Sequence, residues 1–472
     1  MKNFVGLIGV FCILLGLVSC ERDPSSSDAK SADITFSIDT LYFDTVFTTV
    51  GSATRRFKIY NSGNNPIIIS EINLGAGSNS YFRLNIDGVA GNTAKNLELE
   101  GKDSIFVFVE VTIDPNNSNI PMIVVDSVNF VASDGSKSVK LVAWGQDAFF
   151  HKGEIVPCDT TWTNEKPHVI INSVLVDSLC KLTIDEGTQI FSHSGSRIFV
   201  KGSLIVNGTL DNPVVFQADR LESFYDDLPG QWDGIHFLIQ SINNIINYAV
   251  IKNGVVGVRL DSLSTNNLYK LTMTNTVIHN ISSTGILGIT SSIDAENCLI
   301  YNCGDYCAQL EYGGIYDLKH CTFANYSSVI LSHKKPLLRL NNYLSFNGAI
   351  FGVADLGAYF TNCIIYGNKK EEIDYDPDPS NTANDSITFT NCIIRTELET
   401  LSTKDSYIYN DNSSFIDPFV DPSNSDVEVR DYHLIQGSDA NTGGMYINID
   451  KDLDEVSRST SSPSIGCYEF TE

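Results

Sequence analysis

Basic side chains are scarce in this chain of 472 residues, where 31 Lys and Arg stand against 57 Asp and Glu and give a formal charge of −26. A surface of this charge repels nucleic acids and other polyanions unless a cation bridges them. The ligands that remain are neutral ones, or anionic ones bound through Ca²⁺. We therefore predict no nucleic-acid partner.

Long amphipathic helical patterns are also missing, and only one long apolar run occurs. Without helical periodicity, and with many aromatic, β-branched, Gly and Asn residues, the sequence predicts an all-β chain. Its length exceeds that of one compact domain, which predicts two folded units. Outside the single apolar run, no segment is a candidate for spanning a membrane.

That apolar run extends from Phe4 to Val18 and precedes Cys20. A basic start, a short apolar core and a small residue before the cut are typical of a secretory signal. The run is shorter than the ~20 residues of a bilayer span, which argues against the alternative of a retained transmembrane anchor. The segment 17–20, Leu-Val-Ser-Cys, resembles the bacterial lipobox. We expect a signal peptide at 1–19 and lipidation, such as by palmitate, on Cys20.

Residues 20–32 are mostly small and polar, which predicts a flexible tether behind the lipidated cysteine. A lipobox followed by a polar tether resembles the surface lipoproteins of Gram-negative bacteria. Residue 21 is Glu rather than Asp, so the familiar inner-membrane retention signal is absent. The resemblance implies an outer-membrane lipoprotein that faces either the cell surface or the periplasm.

Residues 33–148 alternate apolar and polar positions, as in 104–109, and turn residues such as Asn61 to Gly63 separate the runs. Short strands at this spacing over about a hundred residues predict a β-sandwich. The stretch 57–69 resembles immunoglobulin-like modules that precede larger surface domains. This unit has no cysteine pair and no visible catalytic chemistry.

From residue 169 onward the chain repeats a short phrase that begins with Asn or an equivalent residue and continues with apolar residues. The phrases begin at positions 247, 275, 297, 320, 342, 362 and 391, so the steps are 28, 22, 23, 22, 20 and 29 residues. A step near 22 is typical of a coil of a parallel β-helix, in which strands stack ~4.8 Å apart. The leucine spacing of a leucine-rich repeat is absent. We predict a linker and cap at 149–168, a β-helix with a closing segment at 169–472, and side-chain bonds between stacked Asn residues.

Residues 202–209 and 230–235 look like the entry coils of right-handed parallel β-helix (pectin-lyase-like) proteins, and 417–422 and 465–469 resemble the closing segment of that group. The resemblance implies the fold but not one reaction, because the group has many activities. Its lyases use Asp-bound Ca²⁺ with an Arg or Lys base. Its hydrolases use two or three Asp residues on one face.

Nine cysteines follow Cys20, an odd number that leaves at least one thiol free if the chain is exported. Four of them share one position of the repeat, which predicts stacked core residues; they are Cys298, Cys321, Cys363 and Cys392. Cys158 and Cys180 lie 22 residues apart, so one coil brings them within reach of a disulfide. The pair Cys303 and Cys307 lacks the further ligands of a zinc site.

The carboxylates of Asp450, Asp452 and Asp454 alternate as in calcium loops, but Glu455 stands where an EF-hand requires Gly. A looser Ca²⁺ site is the only metal candidate, and Ca²⁺ is the only cofactor that the sequence leaves open. Basic residues do not fall at one position of the repeat; these are Arg220, Lys252, Arg259, Lys319 and Arg339. The eight histidines show no metal-binding spacing. We assign no catalytic residue.

Tyr225 and Trp232 are candidates for stacking on sugar rings, with burial in the coil interior as the alternative. The favoured function is non-catalytic binding or display at the cell surface, with carbohydrate as the ligand. The first alternative is a polysaccharide lyase or glycoside hydrolase, and the second is a structural spacer in the envelope. Convergence of three carboxylates, or of Asp with Arg or Lys, in one outward groove favours the enzyme. The sequence predicts no oligomeric state.

Overall fold

Strands are the dominant element in a computed structural model that describes residues 26–115, 122–347, 349–380, 382–399, 401–409 and 417–471. The chain divides into two compact units, Met1–Asp147 and Ala148–Glu472. The predicted signal peptide at 1–19 and the predicted lipidation site Cys20 lie outside the described residues. Within the described part of the chain, no helix has the length and apolar character needed to cross a membrane. The all-β prediction is confirmed.

The first unit contains two sheets around one hydrophobic core. Its strands are β1 (Ser27–Asp28), β2 (Ile34–Phe36), β3 (Thr40–Phe47), β4 (Arg55–Asn61), β5 (Ile67–Leu74), β6 (Phe82–Ile86), β7 (Val89–Ala90), β8 (Thr93–Leu99), β9 (Ser104–Val111), β10 (Met122–Ala132) and β11 (Gly135–Gln146). One sheet has the order β1-β5-β10-β11-β3, with β8 also paired to β5, and the other has the order β2-β4-β9-β6-β7. Alternation explains the packing, because Ile105, Val107 and Val109 of β9 all point into the core. The immunoglobulin-like class of this unit stays a prediction.

The expected tether at 20–32 ends earlier than predicted. Ser27 and Asp28 pair in parallel with Ile67 and Ile68 of β5, and the Ala29 side chain is fully buried in the core. An edge strand can be held by backbone hydrogen bonds and one small buried side chain, so its polar composition does not prevent it from pairing. Residues 27–32 therefore belong to the first unit.

The second unit is a parallel β-helix with a C-terminal extension. Its strands are β12 (Phe149–Ile155), β13 (Thr160–Trp162), β14 (His168–Val176), β15 (Lys181–Asp185), β16 (Gln189–Ser192), β17 (Ile198–Val200), β18 (Ser203–Asn207), β19 (Val214–Ala218), β20 (Ile235–Phe237), β21 (Asn244–Asn247), β22 (Ala249–Lys252), β23 (Val256–Asp261), β24 (Leu271–Thr274), β25 (Val277–His279), β26 (Thr284–Glu296), β27 (Leu299–Tyr301), β28 (Ala308–Lys319), β29 (Thr322–Asn325), β30 (Leu338–Asn341), β31 (Tyr343–Phe346), β32 (Ala349–Val353), β33 (Leu356–Thr361), β34 (Ile364–Gly367), β35 (Ile373–Asp376), β36 (Ser386–Thr390), β37 (Ile393–Arg395), β38 (Thr403–Lys404), β39 (Tyr407–Tyr409), β40 (Phe419–Asp421) and β41 (Asp431–Leu434).

Each coil passes through three sheet faces, which we name A, B and C in chain order. Face A contains the second halves of β12 and β14, then β17, β20, β23, the first halves of β26 and β28, β30 and β35. Face B contains β13, β15, β18, β21, β24, the second halves of β26 and β28, β33, β36 and β38. Face C contains the first halves of β12 and β14, then β16, β19, β22, β25, β27, β29, β34, β37 and β39. The segment 149–168, expected to be a linker and cap, already supplies paired strands of the first coil.

Most of the recurring phrase positions lie at the corner between faces B and C in the left-handed backbone conformation, as at Asn275 and Asn297. The phrase predicted at Asn342 is wrong as a coil repeat, because Asn342 follows β30 on face A and begins the hairpin of β31 and β32. The Asn amides at the corner bond along the stack: Asn275 donates to Asn247 and Asn297 donates to Asn275, each at 3.2 Å. Asn tolerates this backbone conformation better than most residues. The prediction of Asn-to-Asn bonds between coils is confirmed for these residues.

The C-terminal segment 417–471 runs back along the rod, whereas the sequence predicted a closing segment at its end. Its backbone carbonyls accept hydrogen bonds from the corner Asn side chains, Gly443 from Asn391, Met445 from Asn362 and Lys451 from Asn297. It also covers the outward side of face C and forms a second hydrophobic cluster there, with members such as Tyr301, Tyr366, Phe419 and Tyr432. Tyr301 and Tyr366 are therefore buried and do not offer their rings to a ligand.

His433 holds part of this C-terminal segment in place. Its Nδ1 lies 2.7 Å from Asp431 and its Nε2 lies 2.8 Å from Asp454, and its ring stacks on Tyr468. The hydrogen bond to Asp454, opposed by burial and supported by Asp431, raises the pKa of His433 to about 9.

We expect this histidine to make stability depend on pH. Because its folded pKa lies above the ordinary value of 6.5, its contribution is complete below pH 6.5 and is lost as the pH rises through about 9. His433 and both partners are about half exposed, so the contribution is only roughly a few tenths of a kcal/mol. In thermal unfolding between pH 6 and pH 10, the His433→Gln variant should show a shallower decline than the original chain; parallel curves would contradict this role.

The cysteines divide into one bonded pair and a buried stack. Cys158 and Cys180 form a disulfide between neighbouring coils. The free cysteines among the described residues are all buried; they are Cys298, Cys303, Cys307, Cys321, Cys363, Cys392 and Cys467. Within the stack, the Cys363 backbone N–H donates to the Cys392 sulfur at 3.4 Å. These thiols act as small core residues.

Candidate functional site

Three insertions leave the coil around neighbouring strands of face A. Residues 326–337 precede β30, residues 342–355 follow it and contain the hairpin of β31 and β32, and residues 377–385 follow β35. The sequence steps predicted a loop only at the last of these, between Asn362 and Asn391. Loops on a rigid scaffold are where binding residues concentrate. The outward side chains of β30 and β35 are thus the first place to look for a site.

One guanidinium at this place contacts three carboxylates. Arg339 Nε lies 2.7 Å from Glu311, Nη1 lies 2.7 Å from Asp374, and Nη2 lies 3.0 Å from Asp376. The register explains the convergence, because Arg339 of β30 pairs with Asp374 of β35 on one side and with Gln309 of β28 on the other. Glu311 and Asp376 follow two residues later on the same outward side. We call these four residues the Arg339 cluster.

Two tyrosine hydroxyls complete the Arg339 cluster. Tyr306 donates to Asp374 at 3.2 Å and Tyr343 donates to Asp376 at 2.9 Å. Burial, and then the negative charge of Asp374, raise the pKa of Tyr306 to about 12. The hydrogen bond to Asp376 is the main cause that raises the pKa of Tyr343. Both phenols are therefore neutral donors at physiological pH, and the cluster has a net charge of −2 from its one Arg and three carboxylates.

The pKa of Arg339 itself is raised. Burial of the guanidinium opposes its charge, but the hydrogen bonds to Asp374 and Glu311 outweigh that cost. The carboxylates of Glu311, Asp374 and Asp376 all accept hydrogen bonds from this guanidinium. The arrangement therefore offers three ionised acceptors around one permanent cation.

A buried pair fixes the first insertion beside the Arg339 cluster. His333 Nε2 lies 2.9 Å from Glu372, which directly precedes β35, and both side chains are completely buried. Burial raises the pKa of Glu372. From the same insertion, the Lys335 ammonium lies 4.9 Å from the centre of the Tyr306 ring. The loop is thus tied to the residues that form the site.

The hairpin of β31 and β32 forms the opposite border. Tyr343 at its start contacts the cluster, whereas its large apolar side chains stay exposed, with Phe346 and Phe351 each at 68%. The centres of these two rings are 6.5 Å apart. Asn342 connects the hairpin to the third insertion through hydrogen bonds with Asp378 and Asp385. Polar groups and exposed aromatic rings therefore lie on one side of the rod.

Reasoning from the sequence missed this site because the basic residues do not recur at one position of the repeat. Arg259 and Arg339 stand in the same row of face A, connected through Leu287 and Gln309. Because insertions change the length of the coils, residues of this row are not evenly spaced in the sequence. Of the basic residues named from sequence, a second one also lies among carboxylates: Lys319, on face B.

The predicted stacking residues do not form a sugar platform. Trp232 is completely buried in the β-helix core, and its indole N–H donates to the Lys252 carbonyl at 2.8 Å. Tyr225 is half-buried, but the Arg220 guanidinium lies 3.9 Å from its ring centre. At an inward position of a coil, burial of an aromatic side chain stabilises the fold more than exposure does. The stacking prediction is wrong for Trp232, and at Tyr225 a cation occupies one face of the ring.

The predicted Ca²⁺ site is not formed. Asp452 is buried and accepts hydrogen bonds from the backbone N–H groups of Asp454, Val456 and Glu469. Asp454 contacts His433, and Asp450 accepts from the Tyr446 hydroxyl. The alternating carboxylates stabilise turns because each finds a separate partner. Among the residues that the structure describes, no group of three or more His, Cys, Asp or Glu side chains is placed to hold a metal ion.

Comparison with known proteins identifies the coils. A family described as the right-handed beta helix region matches residues 163–323, so the rod is a right-handed β-helix. The match ends just before the insertion at 326–337 and so leaves out β30 and β35. No curated protein matches the sequence.

Solved structures show only weak similarity. A family 123 glycoside hydrolase from Clostridium perfringens is 10% identical, with 24% of this chain and 26% of the hydrolase covered, at a TM-score of 0.18. The YadV chaperone is 12% identical, with 24% and 52% covered, at a TM-score of 0.17. A PapD-like domain of human CEP192 is 12% identical, with 28% and 94% covered, at a TM-score of 0.18. The chain spans about a quarter of the hydrolase and about half of the chaperone, and scores this low carry no argument about function.

Proposed function

We propose that the β-helix binds a neutral carbohydrate at the Arg339 cluster. The observation that carries the proposal is the contact of one guanidinium with three carboxylates, beside two tyrosine hydroxyls and between three insertions. Sugar hydroxyls both donate and accept hydrogen bonds, so they match an array of ionised acceptors and phenolic donors. The exposed rings of Phe346 and Phe351 offer apolar surface for the C–H faces of a sugar.

The charge of the site favours a neutral glycan over a uronate. The Arg339 cluster has a net charge of −2, and the whole chain has a formal charge of −26. The Nε, Nη1 and Nη2 groups of Arg339 already contact carboxylates of the chain. A carboxylated sugar would meet the repulsion of this net charge.

Binding without catalysis is the stronger of two functions for this geometry. A glycoside hydrolase requires at least two carboxyl groups in one outward site, and the convergence of three here makes the hydrolase the second candidate. A hydrolase also needs one carboxyl group that stays protonated to act as the acid. In the Arg339 cluster each of the three carboxylates already contacts the guanidinium as an acceptor, which favours the binding function.

A glycan array followed by calorimetry tests the proposal. We expect at least one neutral oligosaccharide to bind, and Asp374→Asn to weaken it about 10- to 100-fold, the loss of a charged hydrogen bond of about 1.5–3 kcal/mol. Asp211→Asn is the matched control, because it removes the same charge from an exposed position of the rod. Cleavage of the ligand that disappears in Asp374→Asn would establish the hydrolase. An array without any bound glycan would support the structural spacer instead.

The proposed setting of this site is the outer membrane. Lipid on Cys20 would anchor the chain there, and the two-sheet unit, as an immunoglobulin-like spacer, would separate the rod from the lipid. The support is the lipobox-like segment 17–20 and the polar residues that follow it. In that setting the rod meets glycans of the cell's surroundings or of its own envelope.

A further inference from the structure

A cavity of about 410 Å³ opens on face B, away from the Arg339 cluster. Its lining is mostly apolar and comprises Leu263, Ser264, Asn267, Leu268, Tyr269, Ser292 and Ile315. Three of these side chains remain substantially exposed to solvent, Leu263 at 40%, Leu268 at 63% and Ile315 at 46%. Exposed apolar side chains gathered in a concave site mark a place where a ligand can bury them.

The loop that forms one wall is held firmly. It connects β23 on face A to β24 on face B and ends at Lys270, whose side chain is fully buried. The Lys270 ammonium donates to the carbonyls of Leu238, Ile239 and Ser241 at 3.0, 3.0 and 3.1 Å. Three hydrogen bonds to backbone atoms fix the end of the loop, so the cavity is largely formed before any ligand binds.

Carboxylates stand next to the cavity on the same strands. Ser292 and Ile315 form its floor as register partners, and the next outward pair along β26 and β28 is Asp294 with Asp317. Residues two apart on a strand lie about 7 Å from each other on one face. The cation that contacts these two carboxylates is Lys319, whose ammonium lies 2.6 Å from Asp294 and 3.1 Å from Asp317.

The charge balance beside the cavity is negative. Lys319 also lies 3.5 Å from Glu296, so three carboxylates share one ammonium and leave a net charge of −2. Tyr269 connects the two regions, because its ring lines the cavity while burial and then the charges of Asp317 and Asp294 raise the pKa of its hydroxyl. The apolar cavity thus opens beside a row of acidic side chains, and the positive charge of Lys319 does not balance their negative charge.

We propose that this cavity binds a small primary amine with an unbranched apolar tail, free in solution. The tail occupies the space between Leu268 and Ile315, and the ammonium group reaches Asp294 and Asp317. The distance of about 7 Å between the cavity floor and the carboxylates corresponds to a tail of about five to six carbons. An anionic ligand is repelled by the net charge, and a purely apolar ligand leaves the excess negative charge around Lys319 unbalanced.

Calorimetric titration with three six-carbon probes tests this site. We expect hexylammonium to bind about tenfold more tightly than 1-hexanol, and hexanoate not to bind. Shortening the amine should weaken binding roughly fourfold per methylene, the equivalent of ~0.8 kcal/mol. Equal binding of hexanol and hexylammonium would overturn the assignment of the carboxylates, and no binding of any probe would overturn the site. Tighter binding of a blocked lysine amide than of hexylammonium would assign the cavity to a protein side chain and overturn a free amine.

Variants separate the two parts of the site. The double change Asp294→Asn with Asp317→Asn should abolish the preference for amine over hexanol and leave hexanol binding unchanged. Ile315→Trp should fill the cavity and weaken both probes, with the thermal midpoint recorded to show that the fold is retained. Asp211→Asn is again the matched control and should leave both affinities unchanged. If the amine binds the double variant as tightly as the original chain, the proposal is wrong.

Discussion

Replacing Arg339 with Met is expected to abolish glycan binding and to lower the stability of the β-helix by about 2–3 kcal/mol. Removing one member of a buried ion pair costs roughly 3–5 kcal/mol, because the partner charge is left uncompensated. Here the side chains retain exposures of 21–39%, so water screens part of that cost. Three carboxylates that contacted one guanidinium would then face each other.

The pH dependence identifies the cause of that loss. Without Arg339, the carboxylates of Glu311, Asp374 and Asp376 repel one another with no guanidinium between them. The penalty is therefore present at neutral pH and declines as the carboxylates protonate near pH 4. Denaturant unfolding at pH 7.5 and at pH 4 measures it, with the larger difference expected at pH 7.5.

Two variants control for packing and for the loss of charge. Arg339→Lys keeps the charge but not the planar fork, so it should recover part of the stability and little of the binding. Arg56→Met removes an exposed Arg from the other unit and should alter neither property of the rod. An equal loss of stability for Arg339→Met at both pH values would contradict the electrostatic explanation.

The β-helix was predictable because a short phrase of consecutive residues recurs along the sequence. A phrase that begins with Asn and returns after about 22 residues reports both the coil length and the left-handed corner, and Asn275 and Asn297 occupy that corner as expected. The stack of Cys298, Cys321 and Cys363 follows from the same phrase. Local rules suffice here, since each coil repeats the constraints of the one before it.

The Arg339 cluster was not predictable from spacing. Glu311, Arg339 and Asp374 are separated by 28 and then 35 residues, because the insertions change the length of each coil. The convergence depends on register, and a single sequence does not report where a loop leaves the coil. Outward polar residues alone look like any solvated face.

The path of the C-terminal segment did leave a signal that sequence reasoning passed over. On face C, the consecutive residues of Leu299–Tyr301 are all buried, as are those of Ile364–Gly367. A strand with one solvent-exposed side alternates, whereas a continuous apolar run indicates that both sides are covered. These runs indicate a covering layer outside the rod, and residues 417–471 supply it.

Replacing Cys20 with Ser is expected to move the protein from the membrane fraction to the soluble fraction. Each buried methylene of an acyl chain contributes ~0.8 kcal/mol to membrane binding, so one palmitoyl chain amounts to about 10 kcal/mol before other costs. The polar residues after Cys20 add little to that affinity. Fractionation with an alkaline wash, together with incorporation of labelled palmitate, measures the change.

The neighbouring Cys12 provides the matched control, since it lies inside the apolar run before the predicted cut. Cys12→Ser should keep both the label and the membrane fraction, whereas Cys20→Ser should lose both. A Cys20→Ser protein that stays in the membrane without label would show that the run from Phe4 to Val18 is retained as the anchor. In that case the chain is not a lipoprotein. The experiments on the sites of faces A and B keep their expected results, because neither site depends on how the chain is tethered.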